Sequence, residues 1–179
     1  MPEIPFASQP VVEAAARKGV QLEVVSLGES THTAEDAARA VGAEVGQIVK
    51  SLVFVSERDE GLEPCLVLVS GANMVDVTLL AAVLTEPRVR RATADEAREM
   101  TGFSIGGIPP FGHIRPIRTV MDPDLGRFET IWAAAGSPNT VFAVTPATLR
   151  VLANATVAPI ANAPLRPSGQ QPAGATGAA

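Results

Sequence analysis

Two hydrophobic periodicities alternate along the chain. Apolar positions at helical spacing follow Ser8, with Pro10 in the first turn and a stop by Gly19, which predicts a first helix. Gln21 to Leu27 alternates as a strand does. Thr33-Ala34-Glu35-Asp36 has the form of a capping box, with Asp in the fourth place, and opens a helix that Gly42 ends. Ile48 to Val55 and Pro64 to Ser70 are near-continuous apolar runs. The acidic, glycine-containing segment Glu57 to Glu63 joins them, which predicts a hairpin. Asp76 is placed to cap a helix over Val77 to Leu84, and Arg88 to Ala92 reads as a short strand. Thr93-Ala94-Asp95-Glu96 is a second capping box, whose helix closes at Gly102. After a Gly- and Pro-rich loop, Phe103 to Arg115, come strands at Pro116 to Met121, Thr130 to Ala135 and Val141 to Val144. A helix follows from Thr145-Pro146 to about Asn154, then a last strand, Thr156 to Ile160. Hairpins and helical crossovers are mixed. The expected class is therefore α+β, a mixed, curved central β-sheet surrounded by helices, rather than a doubly wound parallel sheet.

Composition narrows the picture. The chain has 179 residues, 46% hydrophobic and 18% charged, enough for one core. Residues 163–179 hold almost nothing to bury, so the expected organisation is one domain over 1–162 and a flexible Pro/Gly/Ala-rich tail. With no Tyr, 1 Trp and 6 Phe the core must be mostly aliphatic. The single Cys65 excludes an intramolecular disulfide and a cysteine-rich zinc site. His32 and His113 are the only histidines, and neither a metal nor a cofactor is expected. No stretch nears the ~20 apolar residues of a membrane helix and no signal segment is evident, so the expectation is a cytoplasmic protein without a membrane partner.

The net charge of −5 argues against a protein that coats nucleic acid, and no DNA partner is expected. The charge is uneven, however. Residues 1–85 carry 12 acidic against 5 basic side chains, whereas residues 86–127 carry 7 Arg against 6 acids. Screening over about 10 Å lets a local arginine patch hold a phosphate on an acidic protein. Arg88, Arg90 and Arg91 are the densest cluster, readable as a solvated edge or as a phosphate contact.

Two features stand out chemically. Lys50 sits inside Ile48-Val49-Lys50-Ser51-Leu52-Val53-Phe54, sharing a strand face with Ile48, Leu52 and Phe54 while Val49, Val53 and Val55 take the other. An ammonium there needs an anion, for which Asp76 is one candidate, or a route to water along an edge. The second feature is the loop Gly102 to His113. Gly106 and Gly107 allow close main-chain approach, and Pro109 and Pro110 stiffen the remainder of the loop. Such a loop either connects or presents amides to a carbonyl or an oxyanion. His113 could donate a hydrogen bond or serve as general base, or simply be solvated; His32, just before a helix, is equally open. Thr33 reads as a cap.

Together these segments resemble the YbaK/prolyl-tRNA synthetase-associated domain family. The resemblance is carried by Gly46 to Phe54, Gly71 to Asp76, Thr101 to Gly112 and Thr130 to Gly136, and runs from about Pro10 to Ile160. It implies a free-standing aminoacyl-tRNA deacylase that hydrolyses the ester of a mischarged tRNA in trans, with Cys- or Ala-tRNA(Pro) among the substrates of relatives. Mischarged tRNA is then the partner, with an aminoacyl-tRNA synthetase as a second one. Carried over, Lys50, Gly106 and Gly107 form the catalytic set. Thr33, Ser51, Gly71, Asp76, Ile108, Pro109, Pro110 and His113 are the substrate contacts. Lys50 would anchor the terminal phosphate and ribose, the loop amides would hold the aminoacyl end, and water would attack. Pro109 stands where cysteinyl-tRNA relatives have Ser, and His113 where they have Gln. Gly71-Ala72-Asn73 lacks the arginines those relatives carry there. The competing reading is a non-catalytic module that binds an aminoacyl-tRNA or a synthetase.

Overall fold

The two apolar runs become the longest strands. In the computed structural model, which describes residues 3–28 and 31–162, β2 (Ile48–Arg58) pairs antiparallel with β3 (Gly61–Ser70), from Val49 opposite Ser70 to Arg58 opposite Gly61. The hairpin turn is only Asp59-Glu60, tighter than the expected Glu57 to Glu63. Main-chain pairing continues past the last apolar side chain, and Gly61, at φ +122°, permits the short turn. Around this hairpin the sheet runs β1 (Val25–Ser26), β8 (Thr140–Val144), β7 (Ile131–Ala134), β2, β3, β6 (Arg118–Met121), β9 (Thr156–Val157). β5 (Arg90–Arg91) also pairs with β2, and β4 (Met74–Val75) forms a separate pair with β10 (Ala161–Asn162). The β2–β7, β3–β6 and β6–β9 contacts are parallel and the others antiparallel, so the sheet is mixed, as expected.

Several expected strands are shorter, and edge position is the reason. Gln21 to Leu27 contributes only β1, the outermost strand, and Arg88 to Ala92 only β5. Short edges are how sheets avoid further pairing. Pro116 has no N–H to give a ladder, so β6 starts at Arg118. Thr156 to Ile160 divides: β9 pairs with β6, Ile160 is buried, and β10 turns to β4. The tail expected at 163–179 lies outside the described residues.

The helices follow their caps. α2 (Ala34–Val41) and α4 (Ala94–Thr101) open on complete capping boxes, Thr33 with Asp36 and Thr93 with Glu96, and close on left-handed Gly42 and Gly102. Asp76 accepts hydrogen bonds from the amides of Thr78 and Leu79 at the start of α3 (Val77–Leu84). α1 (Gln9–Arg17) and α5 (Pro146–Leu152) each carry Pro in the first turn. Each such cap is worth ~1 kcal/mol.

β3 shows why the runs are continuous. Leu66 and Leu68 pack toward α1, α4 and α5, whereas Cys65, Val67 and Val69 pack toward Leu80, Ala81 and Leu84 of α3. A strand covered on both faces needs no polar alternation. Burial pushes the Cys65 thiol up to about 12, which leaves no thiolate for chemistry.

Candidate active site

A break in strand pairing makes the site. One edge of β2 is paired with β3 along its length. The other meets β7 only at Ile48 and Val49, and β5 only at Phe54 and Val55. Between them, Lys50 to Val53 have no strand partner on that edge. A cavity of about 340 Å³ occupies the gap. α2 walls it with Ala34, Ala37 and Val41, β7 and β8 with Trp132, Ala133 and Val141, and the Gly-rich loop with Ile105, Gly106 and Ile108. The carbonyl of Val53 points to this side, accepting from the Ala92 amide, while the carbonyl of Ile48 points to the other, accepting from Gly71. Main-chain groups of alternate residues point the same way along a strand, so the N–H and C=O of Ser51 face the gap.

Lys50 lines this cavity and shares it with Gly106 and Ile108. Its ammonium donates to the carbonyl of Asn73 at 2.6 Å. Asn73 is buried and fixed through its side-chain amide, which donates to Asp122 at 2.9 Å and Asp124 at 2.7 Å. Burial lowers the Lys50 pKa below the ordinary 10.5. Glu35 and Asp122 oppose that shift, and Arg91 adds to it. Asp76 is not the partner: its two oxygens serve the α3 amides and the Asn162 side chain.

The loop divides the other candidates. Gly106, at φ +94°, and Ile108 line the cavity, and their amides meet no acceptor among the described residues. Gly107 does not line it: its amide donates to Ser104 at 3.1 Å, and its α-carbon packs against the Ser137–Pro138 main chain. Pro109 and Pro110 are buried behind the loop. The His113 ring lies on the loop's reverse side, its Nε2 2.7 Å from the Pro109 carbonyl and its edge against Phe103. A carbonyl only accepts, so Nε2 carries the proton and the ring ties the two ends of the loop together. Of the two histidines, His32 is the one that lines the cavity.

Thr33 and Ser51 also line it, although the Ser51 hydroxyl is itself buried and lacks a partner among the described residues. Gly71 is a packing position, tight against the Val45 carbonyl, Ala34 and Ile48. Arg90 is held by Glu57 and Glu96, and Arg91 lies over the Phe54 ring at 5.7 Å beside the cavity, so the arginine cluster is not one free phosphate patch. Sequence reasoning does not single out Asn73, Asp122 and Trp132 as site residues. Asn73 is detectable only as a polar residue between a buried strand and a helix cap.

Burial also depresses the His113 pKa below 6.5. The unfolded chain takes up that proton first as pH falls. The contribution of the neutral ring to stability is complete above 6.5 and is lost as pH drops through the lower folded value. Acidification from about pH 7.5 to about pH 5 is expected to lower the melting temperature of the natural chain more than that of His113→Gln. Parallel curves in a calorimetric pH series would contradict this.

The model of the aminoacyl-tRNA editing domain matches residues 28–152. The chain is 32% identical over 124 residues to the uncharacterized protein YwhH of Bacillus subtilis (strain 168), covering 69% of this chain and 76% of that one. It is 28% identical over 129 residues to the multifunctional Ser/Thr-tRNA deacylase ProXp-y of Escherichia coli (strain K12), covering 72% and 77%. A crystal structure described as that of a candidate trans-editing enzyme for prolyl-tRNA synthetase superposes with a TM-score of 0.81 and 44% identity, over 89% of this chain and 99% of the other. The chain belongs to the aminoacyl-tRNA editing domain family, hydrolases that act on the ester bond of aminoacyl-tRNA. Among the described residues no helix is long and apolar enough to cross a membrane.

Proposed function

We propose that the chain clears a small, wrongly attached amino acid from the 3′ end of tRNA(Pro) in trans, with alanyl and cysteinyl esters as first candidates. The observation that carries this is the single cavity shared by Lys50, the free edge of β2 and the amides of Gly106 and Ile108. An aminoacyl ester presents a phosphate–ribose, a carbonyl that becomes an oxyanion, an α-ammonium and a side chain. Lys50 has three N–H donors and gives one to Asn73, leaving two for the phosphate–ribose. The Gly106 and Ile108 amides suit the oxyanion, and the Ser51 carbonyl suits the α-ammonium. Ala34, Ala37, Val41, Ala133 and Trp132 line the same cavity, and these mostly small apolar walls suit a small apolar group.

Water is the attacking group, oriented by the substrate's own ribose hydroxyl; its oxygen bonds to the carbonyl carbon, the acyl C–O bond to the ribose breaks, and its proton passes to the departing ribose oxygen. The ester is already activated, so positioning and oxyanion stabilisation suffice. Cys65 is buried against α3 with its thiol pushed up to about 12 and does not line the cavity, and His113 is tied to Pro109, so neither takes part. A cysteinyl substrate has a second route: its own sulfur bonds to the carbonyl carbon, the acyl C–O bond to the ribose breaks, the thiol proton passes to the departing ribose oxygen, and the amino acid leaves as a four-membered thiolactone. The fit to the structure described for a prolyl-tRNA synthetase trans-editing enzyme supports tRNA(Pro) and the synthetase as partners.

The test is a panel of tRNA(Pro) charged with alanine, cysteine, serine or proline. Release is expected from the small non-cognate members, with the prolyl ester spared. No release from any of them would overturn the proposal and leave a binding module.

A further inference from the structure

A second hollow, of about 680 Å³, opens on the reverse side of the Gly102–Gly112 loop. The loop lines the first cavity with Ile105, Gly106 and Ile108 and this one with Gly102, Phe103 and Ser104, and Pro138, between β7 and β8, stands in both walls, so loop and turn together form the partition. Arg17 and Arg98 stand exposed in this second wall, and neither makes an ion pair among the described residues. Arg39, Arg58, Arg90 and Arg127, by contrast, each hold a carboxylate. Arg115, likewise without such a pair, joins Arg17 in an adjoining hollow. Lys18 is there too, but its ammonium is taken by the Val151 and Leu152 carbonyls at the end of α5. Among the described residues, Glu13 is the one carboxylate in the second wall.

Beside these cations lies an open aromatic ring. Phe6 is 87% exposed and, with Ile114 at 71%, rims the same hollow. A chain with a net charge of −5 that leaves arginines unpaired around an exposed ring carries the two elements that hold single-stranded nucleic acid. Cations follow the backbone, and an aromatic side chain stacks a base.

We propose that this face receives the RNA strand that leads to the ester. Arg17 and Arg98 contact its phosphates, and Phe6 stacks one of its bases. The aminoacyl end passes over Pro138 into the first cavity. This rests on the deacylase reading and adds the path of the RNA to it. A nucleic-acid strand is favoured over a protein occupant because the wall joins two guanidiniums that hold no carboxylate among the described residues to an exposed ring, the pairing that suits phosphates and a base.

Fluorescence anisotropy with a labelled, uncharged acceptor-stem hairpin ending in CCA tests this on the full chain over a salt series. Each single-strand phosphate contact contributes roughly 0.7 to the slope of log affinity against log salt. The Arg17→Ala/Arg98→Ala double variant is expected to bind on the order of 10-fold more weakly, with a slope smaller by about 1.4. Phe6→Ala is expected to weaken binding about 5-fold or more without changing the slope. Arg39→Ala and Arg127→Ala should leave both unchanged. An unaltered slope in the double variant overturns the proposal, as does an equal loss at Arg39. So does weaker binding to prolyl-tRNA synthetase with RNA affinity intact. Hydrolysis of alanyl-adenosine, which has no strand to place, should survive in the double variant. If the natural chain also fails on that ester and on the charged panel, the deacylase reading falls while the binding result stands or falls separately.

Discussion

Lys50→Ala is expected to lower the rate of deacylation on the charged-tRNA panel by about 100-fold or more, with the fold retained. Removing one preorganised charge or donor from such a site costs on the order of 100- to 1,000-fold in rate. Lys50 is also the lysine of the cavity wall, oriented by a carbonyl that Asp122 and Asp124 fix in turn. The fold survives because two effects oppose each other. The variant leaves the Asn73 carbonyl without its 2.6 Å donor, at a cost of ~1–3 kcal/mol, yet it also removes a desolvated cation. Lys50→Met keeps the apolar stem against the strand and separates charge from packing. It should fold at least as well as Lys50→Ala and be as inactive. The sign of the pKa shift adds a second check. Folding disfavours the charged form, so the natural chain gains stability as pH rises through the lowered Lys50 value toward 10.5, and Lys50→Met should lack that gain. Turnover of the panel at the natural rate by either variant would remove Lys50 from the mechanism.

How much of this is legible in the sequence differs from element to element. Local signals carry most of the fold. Both threonine capping boxes form, Asp76 caps α3, and the two apolar runs pair as a hairpin. A cap depends on residues three apart, and an apolar run reports burial directly. Lys50 is conspicuous for the same reason, as a charge within a run. The cavity is less legible because it is a gap between partners. Nothing within Lys50 to Val53 says that β7 stops pairing at Val49 and β5 begins only at Phe54. Its walls, Ala37, Trp132 and Val141, come from segments far apart in the chain. The loop is only half legible for a related reason. Two adjacent glycines look alike in sequence, yet the turn leaves the Gly106 amide without an acceptor among the described residues and gives that of Gly107 to Ser104. His113, open between donor, base and bystander, is decided by one carbonyl four residues away.

That difference between the two glycines makes a sharp prediction. A Cβ on Gly107 would lie 2.6 Å from Ser137 Cα and 2.7 Å from its carbonyl carbon, both main chain, so the loop must move. A Cβ on Gly106 would meet only Pro138 Cγ at 3.8 Å, and its burden is the positive φ of +94°. Gly107→Ala displaces the amides on either side, and a misplacement near 1 Å is worth ~100-fold in rate. Deacylation by Gly107→Ala is therefore expected to fall about 100-fold, mostly in kcat, because the displaced amides are those proposed for the oxyanion and not the proposed RNA contacts. Overpacking of ~1–3 kcal/mol should lower its melting temperature by several degrees. Gly106→Ala should be milder in both respects, since side-chain space is free and only backbone strain of ~1–3 kcal/mol is added. Single-turnover rates alongside thermal melts distinguish the two. A Gly107→Ala chain that melts lower yet hydrolyses at the natural rate would mean that the loop packs the protein without serving the oxyanion. The donor would then have to be the Ser51 amide on the open edge of β2.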